Sequence, residues 1–181
     1  MAAGLGLDLE AVIKGAQESS SVGVCVAAND NDPAQVVVSG EKAAVEKAAI
    51  LAKEAGAKRA MLLPVSAPFH SPLMQPAAEA MAQALAQVDI AQPKVPLVAN
   101  VLAHAISDPG AIRSLLVDQV TGTVRWRESV AWMVGEGVTE FWEIGAGKAR
   151  SGMVRRIAKE TTTRAVGTPD DVSTAVREGN I

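Results

Sequence analysis

With 181 residues, 49% hydrophobic and 20% charged, the chain has the composition of a globular protein burying one substantial core or two small ones. A net charge of −3, and no basic stripe interleaved with aromatics, argue against nucleic acid as a partner. No window approaches the ~18 consecutive apolar residues of a membrane span, the start MAAGLGLDLE has neither the positive region nor the cleavage site of a secretory leader, and the single cysteine excludes internal disulfides, so a cytoplasmic location is expected.

In chain order, residues 2–7 read as a short strand and 9–17 as a helix capped by Asp8, with Leu9, Val12, Ile13 and Ala16 on one face. Residues 22–28 form a strand of small apolar residues around Cys25, Asn29-Asp30-Asn31-Asp32-Pro33 a turn, and 35–38 the partner strand of a hairpin. Residues 41–55 form a helix lined by Ala44, Ala48, Leu51 and Ala55 and stopped by Gly56, and 60–65 a fourth strand. The succession β-α-β-β-α-β over residues 1–66 predicts a ferredoxin-like subdomain.

Beyond residue 66 helices and strands alternate. A helix runs to about residue 87, with Pro76 expected to distort its first turns. A strand at 95–101 follows, then a helix opened by Asp108-Pro109 with Ile112, Leu115, Leu116 and Val120 inward, and a helix at 126–134. A strand at 138–144, the turn Gly145-Ala146-Gly147, a helix at 148–159, a short strand at 164–166 and an end helix at 170–177 complete the chain. The alternation predicts parallel pairing in an α/β layer, so the fold class is α/β (α+β), with residues 67–181 as the second subdomain.

The chemistry concentrates in Val65-Ser66-Ala67-Pro68-Phe69-His70-Ser71-Pro72. Ser71 is a good N-cap and Pro72 suits a first helical position, which places His70 at the positive end of a helix, where the dipole disfavours imidazolium. A neutral imidazole on a proline-flanked turn suits a general base. Gln119 closes the helix begun at Asp108, and the last carbonyls of a helix have no internal partner. One of them accepting an imidazole Nδ1–H would leave Nε2 as the base; spacing alone does not bring Gln119 to His70. Gly145-Ala146-Gly147-Lys148 fits neither G-x-x-x-x-G-K-[ST] nor G-x-G-x-x-G, since Arg150 stands at the third glycine, and reads as a tight turn feeding a helix. His104 has no second ligand at metal spacing. Turn geometry accounts for Asn29 and Asn31, core filling for Met74 and Met81, and packing for Trp126, Trp132 and Trp142.

The run SAPFHSPLM closely resembles the histidine motif of the malonyl-CoA:acyl carrier protein transacylase family. Asn29-Asp30-Asn31-Asp32-Pro33-Ala34-Gln35-Val36-Val37, Ala52-Lys53-Glu54-Ala55-Gly56-Ala57-Lys58-Arg59, Gln119-Val120 with Val124-Arg125-Trp126, and Glu143-Ile144-Gly145-Ala146-Gly147-Lys148 resemble further family blocks in the family's order. The resemblance implies a ping-pong transfer of malonyl from coenzyme A to the phosphopantetheine of acyl carrier protein in fatty-acid synthesis, without metal or redox cofactor. It implies His70 as the catalytic base, Gln119 as the residue whose main-chain carbonyl orients it, and Phe69 as the side chain narrowing the acyl pocket. It also implies that Asn29 and Asn31 border the acyl and pantetheine groove. Residues 67–181 would be the carboxy-terminal part of the family's α/β-hydrolase-like acyltransferase domain.

The departures carry weight. No serine here stands in G-x-S-x-G, and the family's oxyanion loop and carboxylate-binding arginine have no counterpart; Ala146 and Thr123 replace the usual prolines. The expectation is a carboxy-terminal portion, inactive alone, that needs malonyl-CoA, acyl carrier protein and an amino-terminal acyltransferase segment as partners. A non-catalytic module that binds acyl carrier protein is the alternative.

Overall fold

The computed structural model describes residues 1–178, which divide into two compact units meeting at Ser129 and Val130. The first begins with β1 (Ala2–Leu5), α1 (Leu9–Ser19), β2 (Cys25–Asp32), β3 (Gln35–Gly40), α2 (Lys42–Glu54) and β4 (Arg59–Leu62). The strands form one sheet in the order β2-β3-β1-β4 with every neighbouring pair antiparallel, the ferredoxin-like arrangement. Asp8 Oδ1 accepts the Ala11 N–H at 2.8 Å and starts α1; Gly56, at φ +94°, follows the end of α2 in the left-handed region that favours glycine. Alternate strand residues Ala2, Cys25, Val36 and Val38 pack with Val12 and Ala16 of α1 and Ala44, Val45 and Ala48 of α2. Val45 is buried although not among the expected inward residues, Leu51 is half-buried and Ala55 exposed, while Ile13 lies partly outside.

β2 departs from the expected boundary. The stretch 29–32 is not a turn but a continuation of the strand, with two register irregularities opposite β3, and the chain reverses only at Pro33-Ala34. Turn propensity loses here to buried pairing: Asp32 Oδ1 accepts the Ala34 N–H at 2.9 Å, and Asp30 is held by an arginine described below.

A 3₁₀ turn at Pro72–Met74 then leads through α3 (Gln75–Leu85), β5 (Leu97–Ala99), β6 (His104–Ile106) and α4 (Pro109–Thr121) to α5 (Trp126–Gly135), which crosses the unit boundary. β5 and β6 pair antiparallel, with Val98 opposite Ala105. The strand expected over 95–101 is shorter, and β6 was not expected; four residues, 100–103, connect the two, far fewer than the dozen or so of a parallel crossover. Ile112 is buried, but Leu116 is 45% exposed and Met81 40% exposed, so neither fills the core. Asp108 caps α4 through the Ala111 N–H at 2.7 Å.

The second unit contains β7 (Glu140–Ile144), α6 (Ala149–Ile157), β8 (Thr162–Val166) and α7 (Pro169–Arg177). β7 and β8 are parallel, with Trp142 opposite Arg164 and the Arg164 guanidinium 4.8 Å from the Trp142 ring centre. Thr168 and Asp171 form a reciprocal capping box on α7. Among the described residues no helix is long and apolar enough to cross a membrane.

Candidate active site

The site lies wholly within the first unit, where the loop after β4 meets the end of α4. His70 has φ +56°, a left-handed conformation that non-glycine residues seldom adopt, and Ser71 beside it is fully buried. The Ser71 hydroxyl donates to the Pro68 carbonyl at 2.6 Å rather than capping the helix. Its own carbonyl accepts the Met74 N–H at 3.0 Å, closing the 3₁₀ turn. α3 starts only at Gln75, and Pro76 falls in its first turn, where a missing N–H costs nothing.

α4 presents the partner. Its last main-chain bond runs from the Gly122 N–H to the Asp118 carbonyl at 2.8 Å, and the backbone turns extended at Gly122. A Cβ at Gly122 would lie 2.8 Å from the Asp118 carbonyl oxygen and 3.0 Å from Val101 Cγ1, so the turn requires glycine. The next carbonyl, that of Gln119, faces the half-buried ring of His70, with Nδ1 at 3.1 Å. With the proton on Nδ1 the ring donates to this oxygen and Nε2 presents a lone pair.

A second set of bonds surrounds the contact. The Asn100 side-chain amide donates to Gln119 Oε1 and, at 3.4 Å, to the Thr123 carbonyl. Gln119 Nε2 donates to the Gly122 carbonyl at 3.0 Å and lies 3.5 Å from His70 Nδ1. Thr123 Oγ1 donates to the Ala27 carbonyl at 2.9 Å. Val124 extends the β2 edge by a parallel bridge: its N–H donates to Ala28 and its carbonyl accepts from Asp30, both at 2.8 Å. Arg127 locks the same edge, with Nε bonded to both carboxylate oxygens of the buried Asp30 at 2.9 and 3.0 Å; that carboxylate raises the arginine's pKa above its ordinary value. Arg125 pairs with Glu128 and donates to the Val101 carbonyl at 3.0 Å.

His70 and Gln119 are therefore brought together from 49 positions apart. Phe69, adjoining His70, is 40% exposed. Asn29 is half-buried on β2, where it bridges to Val124; Asn31 donates to Gln35 Oε1 at 3.4 Å. His104 is exposed, with Nδ1 3.2 Å from the Ala105 carbonyl. Asn100 and the Arg127–Asp30 pair were not singled out from the sequence, and Thr123 only as standing where a proline is usual; a lone amide closing the apolar run Val95-Pro96-Leu97-Val98-Ala99 was the available signal for Asn100.

In the second unit the glycine-rich turn is already occupied. The Glu143 carboxylate accepts the Arg150 and Ser151 N–H groups at 3.1 and 2.7 Å and the Ser151 hydroxyl at 2.8 Å, filling the place a bound anion would take at the mouth of α6. These bonds, the Ser151 N–H foremost, hold the carboxyl below the ordinary glutamate range against the opposing effect of burial.

No protein-family model matches the chain. It is 41% identical over 178 residues to the malonyl CoA-acyl carrier protein transacylase of Salmonella typhimurium, aligning 98% of this chain with 58% of that protein. Among solved structures, an acyl-carrier-protein-S-malonyltransferase from Bartonella henselae superimposes on 99% of the chain with a TM-score of 0.94 and 50% identity, over 57% of its own length. A type II PKS acyl-carrier protein in complex with its malonyl-transacylase matches 98% of the chain at TM-score 0.93 and 37% identity, over 57% of the matched chain. The chain thus spans little more than half the length of the proteins it resembles, and its mixed helix-and-sheet fold corresponds to their carboxy-terminal part.

Proposed function

We propose that this chain, a homologue of part of the malonyl CoA-acyl carrier protein transacylases, carries the base-bearing part of a malonyl-transfer site. The observation that supports the reading most directly is the 3.1 Å contact from His70 Nδ1 to the Gln119 carbonyl. On this reading the two ring nitrogens have different tasks, one anchored and one free to exchange a proton.

The reaction proceeds in two half-steps. Nε2 of His70 accepts the proton of a serine hydroxyl supplied by a segment outside this sequence, and the serine oxygen attacks the malonyl thioester carbonyl. The imidazolium returns the proton to the departing coenzyme A thiolate, leaving malonyl as a serine ester. The phosphopantetheine thiol of acyl carrier protein then gives its proton to Nε2 and attacks the ester, and the serine leaves reprotonated. Phe69 bounds the acyl pocket, and Asn29 and Asn31 line the approach of the pantetheine arm. The reaction needs no metal or redox cofactor, and a cytoplasmic location fits it.

The test is reconstitution. The chain alone, incubated with labelled malonyl-CoA, is expected to form no protein adduct, because no serine in it stands on a nucleophile elbow. Adding the G-H-S-x-G-bearing amino-terminal part of a relative is expected to restore transfer to acyl carrier protein, and His70→Ala to abolish it. Reconstituted transfer that survives His70→Ala would refute the assignment. Carrier-protein binding without transfer in the reconstituted mixture would establish a binding module instead.

A further inference from the structure

We infer that Asn100 is a positioning residue for the His70 base, acting by fixing which atom of Gln119 faces the imidazole; the inference rests on the base assignment above. Gln119 offers His70 two oxygens and one amide nitrogen. The main-chain oxygen is 3.1 Å from Nδ1, but the side-chain amide also reaches the ring, with its nitrogen 3.5 Å from the same atom. An amide is nearly symmetric in shape, so its orientation is set by its partners.

Two neighbours set it here. Asn100 presents an NH₂ donor to Oε1, and the Gly122 carbonyl presents an acceptor to Nε2 at 3.0 Å. Together they hold Oε1 turned to Asn100 and place the amide nitrogen beside the ring. A donor so placed cannot receive the Nδ1–H, which leaves the main-chain carbonyl as its acceptor. Without the Asn100 donor the amide is free to rotate. Oε1 then competes with the main-chain carbonyl for Nδ1–H, so the ring keeps its proton on Nδ1 but is drawn to two acceptors and Nε2 loses its single direction. Asn100 also donates to the Thr123 carbonyl, tying this bracket to the segment whose Thr123 hydroxyl and Val124 backbone are fixed on β2. The residue sits in the turn after β5, where the Leu102 and Ala103 N–H groups both return to the Ala99 carbonyl, at 3.1 and 2.8 Å. It is therefore on a built turn rather than a loose loop.

The experiment reads the ring directly. Long-range proton–nitrogen correlation spectra of the ¹⁵N-labelled chain, above the titration range of imidazole, give the tautomer of His70 in the parent, in Asn100→Leu and in Asn100→Ala. The parent is expected in the Nδ1–H form with sharp ring resonances, and each variant is expected to keep that form but to shift or broaden its Nδ1 resonance as the proton is divided between two acceptors. Asn100→Leu in a Gln119→Met background should change it no further, because both act through one amide. Stability is measured in parallel, and Asn100→Ala serves where the leucine variant does not fold. A parent ring in the Nδ1–H form whose nitrogen resonances are unchanged in the folded variants overturns the role of Asn100 alone. A parent ring protonated on Nε2 overturns the base assignment and this inference with it. In the reconstituted enzyme Asn100→Leu should lower kcat severalfold with KM for malonyl-CoA unchanged; a change in KM alone counts against the inference.

Discussion

Replacing Ser71 with alanine tests how the His70 loop keeps its conformation. The hydroxyl of the fully buried Ser71 donates to the carbonyl of the half-buried Pro68 at 2.6 Å, so its loss leaves that acceptor without this donor. Deleting one partner of such a pair costs roughly 1–3 kcal/mol. The left-handed backbone at His70, φ +56°, itself stores on the order of 1–3 kcal/mol, while the Nδ1–carbonyl bond returns only ~0.5–1.5 kcal/mol. The loop is thus held near balance, and about 2 kcal/mol taken from Ser71 shifts its equilibrium about 30-fold toward a relaxed form. Ser71→Ala should lower the unfolding free energy in urea by about 2 kcal/mol and broaden or shift the His70 ring resonances toward those of a free imidazole. An unchanged denaturation midpoint together with unchanged ring resonances would refute the reasoning.

Three further outcomes follow from the same geometry. Because glycine tolerates positive φ and alanine does not, His70→Gly should be more stable than His70→Ala by about 1 kcal/mol, read from paired urea melts. Glu143→Gln should destabilise the chain by about 2 kcal/mol at pH 7, since charge-assisted bonds to Ser151 and Arg150 are lost. Glu143 titrates below its unfolded value, so its contribution is complete above pH ~4.5 and disappears as pH falls through the folded value; parent and variant should converge in acid. Cys25 is 5% exposed and burial pushes its thiol up to about 11, so iodoacetamide at pH 8 should modify it no faster than the protein unfolds, as mass spectrometry would show.

The first subdomain was legible because its signals are local and agree with one another: Asp8 caps, Gly56 stops, and apolar residues recur at helical and strand periods. The stretch 29–32 misled because Asn and Asp are turn formers until a half-buried arginine and a neighbouring strand give them partners, and Arg127 lies 97 positions from Asp30. Val95-Pro96-Leu97-Val98-Ala99 showed a strand but not its partner, since three residues from His104 to Ile106 are too short a run to signal one. At the site, His70 announced itself by its prolines, and a free carbonyl near Gln119 followed from helix termination. That the two meet is a matter of long-range packing, which periodicity does not encode. Asn100 was harder still, because its importance lies in what its amide does to another amide.

The choice of a carbonyl to anchor His70 has its own physical logic. In a serine triad a buried carboxylate orients the histidine and stabilises its imidazolium. A carboxylate in the half-buried position of Gln119 would need desolvating and pairing, at a cost of several kcal/mol per ion. The final turn of α4, 13 residues long, offers an alternative: its last carbonyls carry the negative end of the helix dipole, about half an elementary charge, already oriented by the helix itself. Such an acceptor fixes the tautomer at no charge-burial cost but stabilises imidazolium less than a full anion does. It is also only as well placed as the end of the helix. The bracket of Asn100, Gln119 and Gly122, and the attachment of Thr123 and Val124 to β2, supply the rigidity that a carboxylate would otherwise provide by attraction. Substitutions in this bracket should therefore act on the His70 ring without touching it directly.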